Sequence, residues 1–595
     1  MKLKRSAMDL LKLVFSIVGA ITCFLIVVFL FLLFMGNLNR PRIHSNTVLE
    51  IDFEKGLIES VPDAFVYRLG GGGGQLQITS VVTALDIASK DKRIKGIIAH
   101  IAAMPFRYAD AQEIRDAVIR FRKSGKPAFA FAESFGEAGS GNSNYYLASA
   151  FDSIFMQPSG SLGLTGILSL SPFFKGTLDK LGVTPQLGAR KEYKTAKNQF
   201  TETKYTDAHR QMSQDIVNSV LNRFASDLSS DRKLKEQQLK DLISQGPFSA
   251  SEALNNGLID ALEYRDQAYD RMRQKIGKKT RFLYLTKYIQ RFRARPARGK
   301  AAALIHGDGA IMQGKSSYNP LSGEMVMGAK TISAAFRAAI KDKSVGVIIF
   351  RINSPGGSHI GSDMIWRETV RAQKAGKPVI VTMGAVAGSG GYFVAMNAEK
   401  IIANPSTITG SIGVVSGKFV TEGLYNKLGV TTSHVSTSPN ATIWSPTSKF
   451  TEDQWKYIEQ SLDTVYHDFV SKVASGRKLP LEKVQEIAKG RIYTGDEALK
   501  LGLVDTLGGY FEAVQAAKKI LGIPDKRLVQ IKRFPRRPSF WGRLFGKGPD
   551  SSEDTETSLQ EDVSLSGSLL SKLQKAAGVI TEEVGALKME TPMVY

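Results

Sequence analysis

The chain has 595 residues, 43% of them hydrophobic, and a net charge of +23, so it is long enough for several domains and ordinary in its apolar content. Its one cysteine, Cys23, excludes an intramolecular disulfide, a cysteine-based metal site and a catalytic thiol; seven histidines without a His-x-x-x-His array speak against a zinc hydrolase. The basic excess carries no DNA- or RNA-recognition motif and gathers beside the first apolar run, in 281–300 and in 526–547, which suits anionic lipid headgroups rather than nucleic acid.

Residues 14–35 carry no charge and are dense in Leu, Val, Ile and Phe, long enough to cross a bilayer core as a helix. Lys2, Lys4, Arg5 and Lys12 precede the run, so residues 1–13 are expected to stay cytoplasmic and the rest of the chain to lie outside. A cleaved signal peptide is the rival reading. The length of the run and the absence of a small-residue cleavage site in Phe34-Met-Gly-Asn-Leu-Asn favour an uncleaved anchor over 14–36.

Next come short apolar runs that read as buried strands, each followed by a segment of helical period. Ile97-Ile-Ala-His-Ile, Ala128-Phe-Ala-Phe-Ala and Ser153-Ile-Phe-Met have partners in Val347-Ile-Ile-Phe-Arg-Ile, Val379-Ile-Val-Thr-Met and Lys400-Ile-Ile-Ala, with helices expected over 109–123 and 360–374. The alternation points to an α/β fold with a mostly parallel sheet. Gly70 to Gly74, five glycines with no Lys-Ser or Lys-Thr after them, reads as a loop rather than a phosphate cradle. Basic strand-like runs at Arg281-Phe-Leu-Tyr-Leu and Arg527-Leu-Val-Gln-Ile close two units, 48–292 and 301–534, joined by a linker near 293–300. A tail, 535–595, begins with Phe540-Trp-Gly-Arg-Leu-Phe, basic and aromatic enough for a membrane surface. It continues through an acidic, disorder-prone run at 550–562 to a possible terminal helix at 564–588.

The two units are one repeat. Arg93-Ile-Lys-Gly-Ile-Ile, Ser124-Gly-Lys-Pro, Asn144-Tyr-Tyr-Leu-Ala and Leu181-Gly-Val-Thr recur as Ser344-Val-Gly-Val-Ile-Ile, Ala375-Gly-Lys-Pro, Gly391-Tyr-Phe-Val-Ala and Leu428-Gly-Val-Thr, at offsets of 247 to 251 residues. Asn256-Gly-Leu-Ile-Asp and Leu501-Gly-Leu-Val-Asp continue the register. Where the second copy has Ser389 the first has Asn142; where the first has Lys194 the second has Ala441.

Two segments of the second copy suit acyl chemistry. Asn353-Ser-Pro-Gly-Gly-Ser358 follows a strand, and paired glycines let backbone N–H groups approach a ligand closely. Ala387-Gly-Ser-Gly-Gly-Tyr392 follows the next strand and opens a helix, placing Ser389 among unpaired N–H groups. The Gly390 amide and one from Gly356 or Gly357 are then candidates for an oxyanion hole. One glycine cluster alone would read as a tight turn; two at the ends of consecutive strands, one presenting a serine, do not. The first copy has Ala103-Met-Pro-Phe-Arg and Ser140-Gly-Asn-Ser-Asn at these places and has lost the glycines.

From the anchor to about residue 535 the chain resembles the long, duplicated signal peptide peptidases, in Asn353-Ser-Pro-Gly-Gly, Gly388-Ser-Gly-Gly-Tyr, Asn404-Pro-Ser-Thr-Ile-Thr-Gly-Ser-Ile-Gly-Val and Gly490-Arg-Ile-Tyr-Thr-Gly. The resemblance implies tandem Clp/crotonase-like β-β-α spiral domains after one transmembrane helix. It implies Ser389 as nucleophile, Lys194 in Glu192-Tyr-Lys-Thr-Ala as general base, and Ser411 as the group orienting the lysine amine. In single-copy members the lysine lies some fifty residues after the serine; here Lys194 follows Asn142, and Ala441 follows Ser389, by 52. The surroundings of the lysine depart from the pattern at Lys197-Asn-Gln-Phe. Without the repeat and the resemblance, Lys194 would pass for a solvated surface lysine. Burial, and positive charge from neighbours such as Arg190, Lys191 and Lys197, would lower its pKa into the range of a base.

The expected protein is therefore a serine endopeptidase of the bacterial inner membrane, its catalytic body periplasmic. It acts on cleaved signal peptides, needs no metal or organic cofactor, and assembles as a homo-oligomer, a tetramer by resemblance. A Ser-His hydrolase using His359 or His434, a catalytically silent membrane scaffold, and a crotonase-like acyl-CoA enzyme are the alternatives.

Overall fold

In the computed structural model, residues 43–61, 75–101, 104–137, 139–292, 299–319 and 322–535 are described, together with seven residues between 16 and 27 and the pair 593–594. Most of the anchor expected over 14–36, the glycine run at 70–74, the linker at 293–298 and nearly all of the tail lie outside the described residues; the seven described residues of the anchor are helical. Among the described residues no helix is long and apolar enough to cross a membrane.

In chain order the first repeat supplies β1 (Thr47–Asp52), α1 (Ile78–Lys90), β2 (Ile94–His100), α2 (Tyr108–Arg122), β3 (Ala128–Ala132), β4 (Ser153–Met156), β5 (Thr184–Arg190), α3 (Asp207–Arg232), β6 (Ala261–Leu262) and β7 (Arg281–Tyr284). The second supplies β8 (Ala301–Asp308), β9 (Val345–Ser354), α4 (His359–Lys374), β10 (Val379–Gly388), the one-turn α5 (Gly390–Phe393), β11 (Lys400–Ala403), β12 (Ile408–Gly410) and β13 (Val414–Val420). It ends with α6 (Glu452–Arg477), β14 (Ile492–Thr494), β15 (Thr506–Leu507), α7 (Tyr510–Ile520) and β16 (Gln530–Phe534). The strands expected at 97–101, 128–132, 153–156, 347–352 and 400–403 are all present. The run at 527–531 pairs later than its hydrophobicity implies, over Gln530–Phe534.

The first sheet runs β6-β4-β3-β2-β1-β7, all parallel. The second repeats that order as β15-β11-β10-β9-β8-β16, again parallel, with β12 and the antiparallel β14 added on the far half of β10. Two sheets with one strand order are the structural form of the sequence repeat. The branch explains why β10 is longer than the run 379–383 suggests. Its first half pairs with β11 and its second half, through Gly388, with β12, so the backbone stays extended up to Ser389.

The core follows the pleat. On β9, Val347 and Ile349 join the cluster that α7 shares with the first repeat, while Ile348, Phe350 and Ile352 join the second repeat's separate cluster. Burial on both faces requires the near-continuous apolar run seen there, the pattern of an interior parallel strand. Between the sheets, Val81, Leu85 and Ala88 of α1 meet Tyr510, Ala513 and Ala517 of α7 in one cluster, so the repeats share a core.

A polar seam also joins them. Arg351, 1% exposed, reaches from β9 to Glu59 at 2.7 Å and Glu113 at 2.8 Å, both of the first repeat. Burial alone would raise the Glu59 carboxyl, but the guanidinium beside it holds that group below the usual carboxylate range. Gln112 hydrogen-bonds to Ser406, and Asn404 donates to Glu113. One further link positions the site: β5 of the first repeat pairs antiparallel with β13 of the second, from Arg190 opposite Val414 to Thr184 opposite Val420.

Candidate active site

That pairing places the chemistry. Lys194 lies four residues beyond Arg190 and Ser411 three before Val414, so the β5–β13 ladder carries the lysine of one repeat to the end of the other's sheet. Lys194 Nζ is 2.9 Å from Ser389 Oγ, 2.9 Å from the Ser411 carbonyl and 2.9 Å from Ser411 Oγ. A neutral amine has two N–H donors and one lone pair. The carbonyl can only accept, and the Ser411 hydroxyl can take the second donor; the lone pair is left for the Ser389 O–H.

Lys194 is 3% exposed, and burial pulls its pKa down to about 7. Neighbouring positive charge is not the cause, contrary to the expectation from Arg190, Lys191 and Lys197. Arg190 is turned away into ion pairs with Glu459 (2.5 Å) and Asp463 (2.6 Å).

Ser389 terminates β10 in a strained turn, φ 53° and ψ −119°, and its side chain caps nothing. A non-glycine residue held at positive φ presents its side chain away from the course of strand and helix, as in the strand-to-helix turns that expose catalytic serines. Ser411 shares the positive φ, 54°. Backbone bonds hold both turns: Ser389 N–H donates to Gly410 O, and Ser411 N–H to Arg491 O at 2.7 Å. The helix after Ser389 is one turn, Gly390–Phe393, so the helix dipole expected there is small and the local amides themselves are what the site offers.

The glycines converge as well. A Cβ on Gly356 would lie 2.7 Å from Gly390 N and 2.8 Å from Ser389 Cβ, so only glycine lets these two loops touch. Of the two candidate partners for Gly390, the structure separates one. The Gly356 N–H donates to Ser354 Oγ (3.2 Å), while Gly357 N lies against Gly390, 3.3 Å from where a Cβ there would stand. Gly390 with Gly357 therefore remains the candidate donor pair, and Gly356 serves close approach. Asn353 of the same motif is a brace: it donates to Asp308 (2.9 Å) and accepts from Val386 N (3.3 Å), tying β8, β9 and β10 together.

At the equivalent place in the first repeat the polar groups are already hydrogen-bonded to one another. Asn142 spends its amide on Ser140 Oγ, Gly166 O and Thr165 N. Phe106 N–H, the counterpart of Gly357, is taken by Ser143 Oγ at 3.0 Å. Neither rival histidine reaches Ser389: His359 faces Asp468 at 4.0 Å and packs edge-on to Phe393, and His434 is exposed in a run without regular structure.

Gly490 and Arg491 had no assigned role in the sequence, although their motif stood out. The Lys489 carbonyl accepts from Tyr193 N, the Arg491 carbonyl from Ser411 N, and a Cβ on Gly490 would stand 2.5 Å from Lys194 Cβ. Gly490→Ala is expected to push the lysine back and lower kcat about 10- to 100-fold with KM little changed, since small displacements of a reacting group carry penalties of that order. Steady-state peptide hydrolysis, with circular dichroism to confirm the fold, checks this.

Comparison with known proteins agrees with the geometry. The model of peptidase family S49 matches residues 120–279 and 371–523, one segment in each repeat. The chain is 32% identical over 511 residues to Protease 4 of Salmonella typhi, covering 82% of this chain and 80% of that one. It is 32% identical to Protease 4 of Haemophilus influenzae over 76% of this chain and 74% of that one. To the chloroplastic serine protease SPPA of Arabidopsis thaliana it is 28% identical, over 85% and 75%.

Proposed function

We propose, from the premise that this chain belongs to peptidase family S49 and is a serine protease, that Ser389 is its nucleophile and Lys194 its general base. The observation that carries this reading is the 2.9 Å contact between Lys194 Nζ and Ser389 Oγ, with the amine buried and its pKa lowered to about 7. Ser389 Oγ attacks the scissile carbonyl carbon while its proton passes to the Lys194 lone pair. The amides of Gly390 and Gly357 receive the oxyanion, and Ser411 holds the amine in line. Collapse of the tetrahedral adduct breaks the C–N bond, and Lys194 returns the proton to the leaving amine. A water activated by the neutral lysine then hydrolyses the acyl-enzyme. Each repeat supplies one half of the dyad, so the active unit is the pair.

The finer reading is a protease fixed in the inner membrane by residues 14–36, with a periplasmic body of Clp/crotonase-like repeats assembled as a homotetramer that degrades cleaved signal peptides. The uncharged apolar run behind Lys2, Lys4, Arg5 and Lys12 supports the anchor and its orientation. The relatives named as Protease 4 and serine protease support peptide substrates. A silent scaffold would have no need of a strained serine with a buried lysine against it, and an acyl-CoA enzyme would have no need of the lysine.

The test is hydrolysis of a synthetic signal peptide by the full chain in detergent, followed by mass spectrometry. Cleavage at internal amide bonds that disappears in Ser389→Ala supports the reading; cleavage surviving that change, or none in the wild type, overturns it. The base must be neutral to work. Activity is therefore expected to rise with pH, pass half-maximum near pH 7 and level off above it, following the lowered Lys194 pKa. A profile flat from pH 6 to 9 would contradict lysine as the base.

A further inference from the structure

We propose that the first repeat carries a divalent-cation site, with Asp52, Glu54 and His100 as ligands and Glu133 as the group that orients the imidazole. It shares no residue with the Ser389 site and goes beyond the proposed peptidase function. Asp52 ends β1, His100 ends the neighbouring β2, and Glu133 follows the last residue of β3, so three adjacent parallel strands deliver these groups to one edge. The carboxyl ends of parallel strands are where α/β sheets bind ligands.

The imidazole is the decisive group. His100 is 3% exposed, and its Nδ1 is buried without a hydrogen-bond partner. Nδ1 lies 3.3 Å from Glu54 Oε1 and 3.9 Å from Asp52 Oδ1. On the other side, Nε2 is 2.7 Å from Glu133 Oε2. A carboxylate at that distance requires a proton on Nε2; with the ring neutral, Nδ1 keeps its lone pair, and Asp52 and Glu54 are the acidic groups beside it. Carboxylate, histidine and metal in line is the usual second-shell arrangement at zinc. Phe131 stacks on the ring at 5.9 Å and fixes its plane. The three ligand atoms lie within 4.8 Å of one another. Bonds of about 2.0–2.2 Å to a tetrahedral Zn²⁺ set neighbouring ligand atoms roughly 3.3–3.5 Å apart, so the Glu54 separation already fits, and Asp52, whose Oδ1 accepts from Glu54 N at 2.9 Å, would move inward to complete the set.

The second repeat shows what the same row looks like when it is neutralised from within. There Arg351 stands at the position of His100, His306 at that of Asp52 and Gly384 at that of Glu133. Glu59 of the first repeat fills the space over Gly384, its Oε1 2.5 Å from where a Cβ would stand, and binds Arg351. In the first repeat the signs are reversed: three carboxylates meet one imidazole, and a cation is the complement. One imidazole nitrogen among carboxylates favours Zn²⁺ over Ca²⁺ or Mg²⁺, which take oxygen ligands alone.

The experiment is isothermal titration calorimetry of ZnCl₂ into the chelator-treated full chain in detergent. One Zn²⁺ per chain is expected at micromolar or tighter affinity, weakened about 10-fold or more in Glu133→Gln, the scale seen when a metal's outer-shell carboxylate is removed. His100→Ala is expected to abolish the heat, with peptide hydrolysis retained as evidence of folding. If His100→Ala fails to fold, Asp52→Asn takes its place and must weaken Zn²⁺ likewise. His434→Ala, at an exposed histidine, must leave the isotherm unchanged. Absence of a stoichiometric isotherm in the wild type, or equal affinity in the wild type and the His100 or Asp52 variant, overturns the proposal.

Discussion

Lys194→Ala is expected to lower kcat/KM for a peptide amide by about 10³- to 10⁵-fold, Ser389→Ala by as much, and the double variant by no more than either alone. The reason for the non-additivity is that nucleophile and base act as one unit: without the lysine the serine hydroxyl keeps its proton, and without the serine the lysine has nothing to deprotonate. The residual rate would come from the amides of Gly390 and Gly357, which neither change removes. His359→Ala and His434→Ala are expected to retain activity, since neither ring faces Ser389.

Stability should move the opposite way. Burial lowers the Lys194 pKa from 10.5 to about 7, so between those values the unfolded chain holds a proton that the folded chain does not. The folded state is penalised fully below pH 7, and the penalty fades as pH rises toward 10.5. Lys194→Met keeps the bulk and removes the ionisable group. It should therefore raise the unfolding free energy from urea titration at pH 7, by about 1–3 kcal/mol after the lost hydrogen bonds are set against the relief of burial. The gain should shrink toward pH 10. An inactive variant that is more stable than the wild type would separate loss of chemistry from loss of fold.

Arg351→Met is expected to destabilise the chain by about 3–5 kcal/mol, the usual consequence of removing one partner from a buried ion pair. Glu59 and Glu113, each 2% exposed, would be left without their cation at the seam between the repeats. Arg351→Lys should recover only part of the loss, because a single ammonium cannot reproduce the fork that reaches both carboxylates. The Glu59 carboxyl sits below its ordinary value in the folded protein, so its contribution is present above the unfolded carboxyl pKa and disappears as pH falls through the folded one. The difference between wild type and Arg351→Met, read from urea midpoints, should therefore narrow in acid. Activity should fall with stability, since the same seam keeps Lys194 against Ser389. An unfolding free energy unchanged to within about 1 kcal/mol would show the ion pair to be dispensable.

Much of the fold was legible in the sequence because it is locally encoded. Interior parallel strands need apolar runs such as Val347-Ile-Ile-Phe, and the helices of α2 and α4 fall within a residue of where their periodicity puts them. The boundaries that moved are those set by partners. β10 runs on to Gly388 because β12 is there to pair with it, and β16 begins at Gln530 because β8 offers its edge there. The proposed nucleophile stood out through Gly388-Ser-Gly-Gly, where backbone geometry demands small residues. The role of Gly490 did not, because the contact it protects is nearly 300 residues away.

What the sequence determined by itself is the repeat and its complementary losses: Ser389 against Asn142 and Lys194 against Ala441 follow from alignment alone, and with the resemblance they give the expectation that neither half suffices. Tertiary structure alone decided how the halves meet. The β5–β13 ladder brings together residues 195 positions apart, the Gly356 amide rather than that of Gly357 is taken by Ser354, and the lysine pKa is lowered by burial instead of by its charged neighbours. Local preference acts over a few residues and can be read along the chain. The pKa of an amine depends on how much water the surrounding fold removes, and that is fixed only when distant strands close over it.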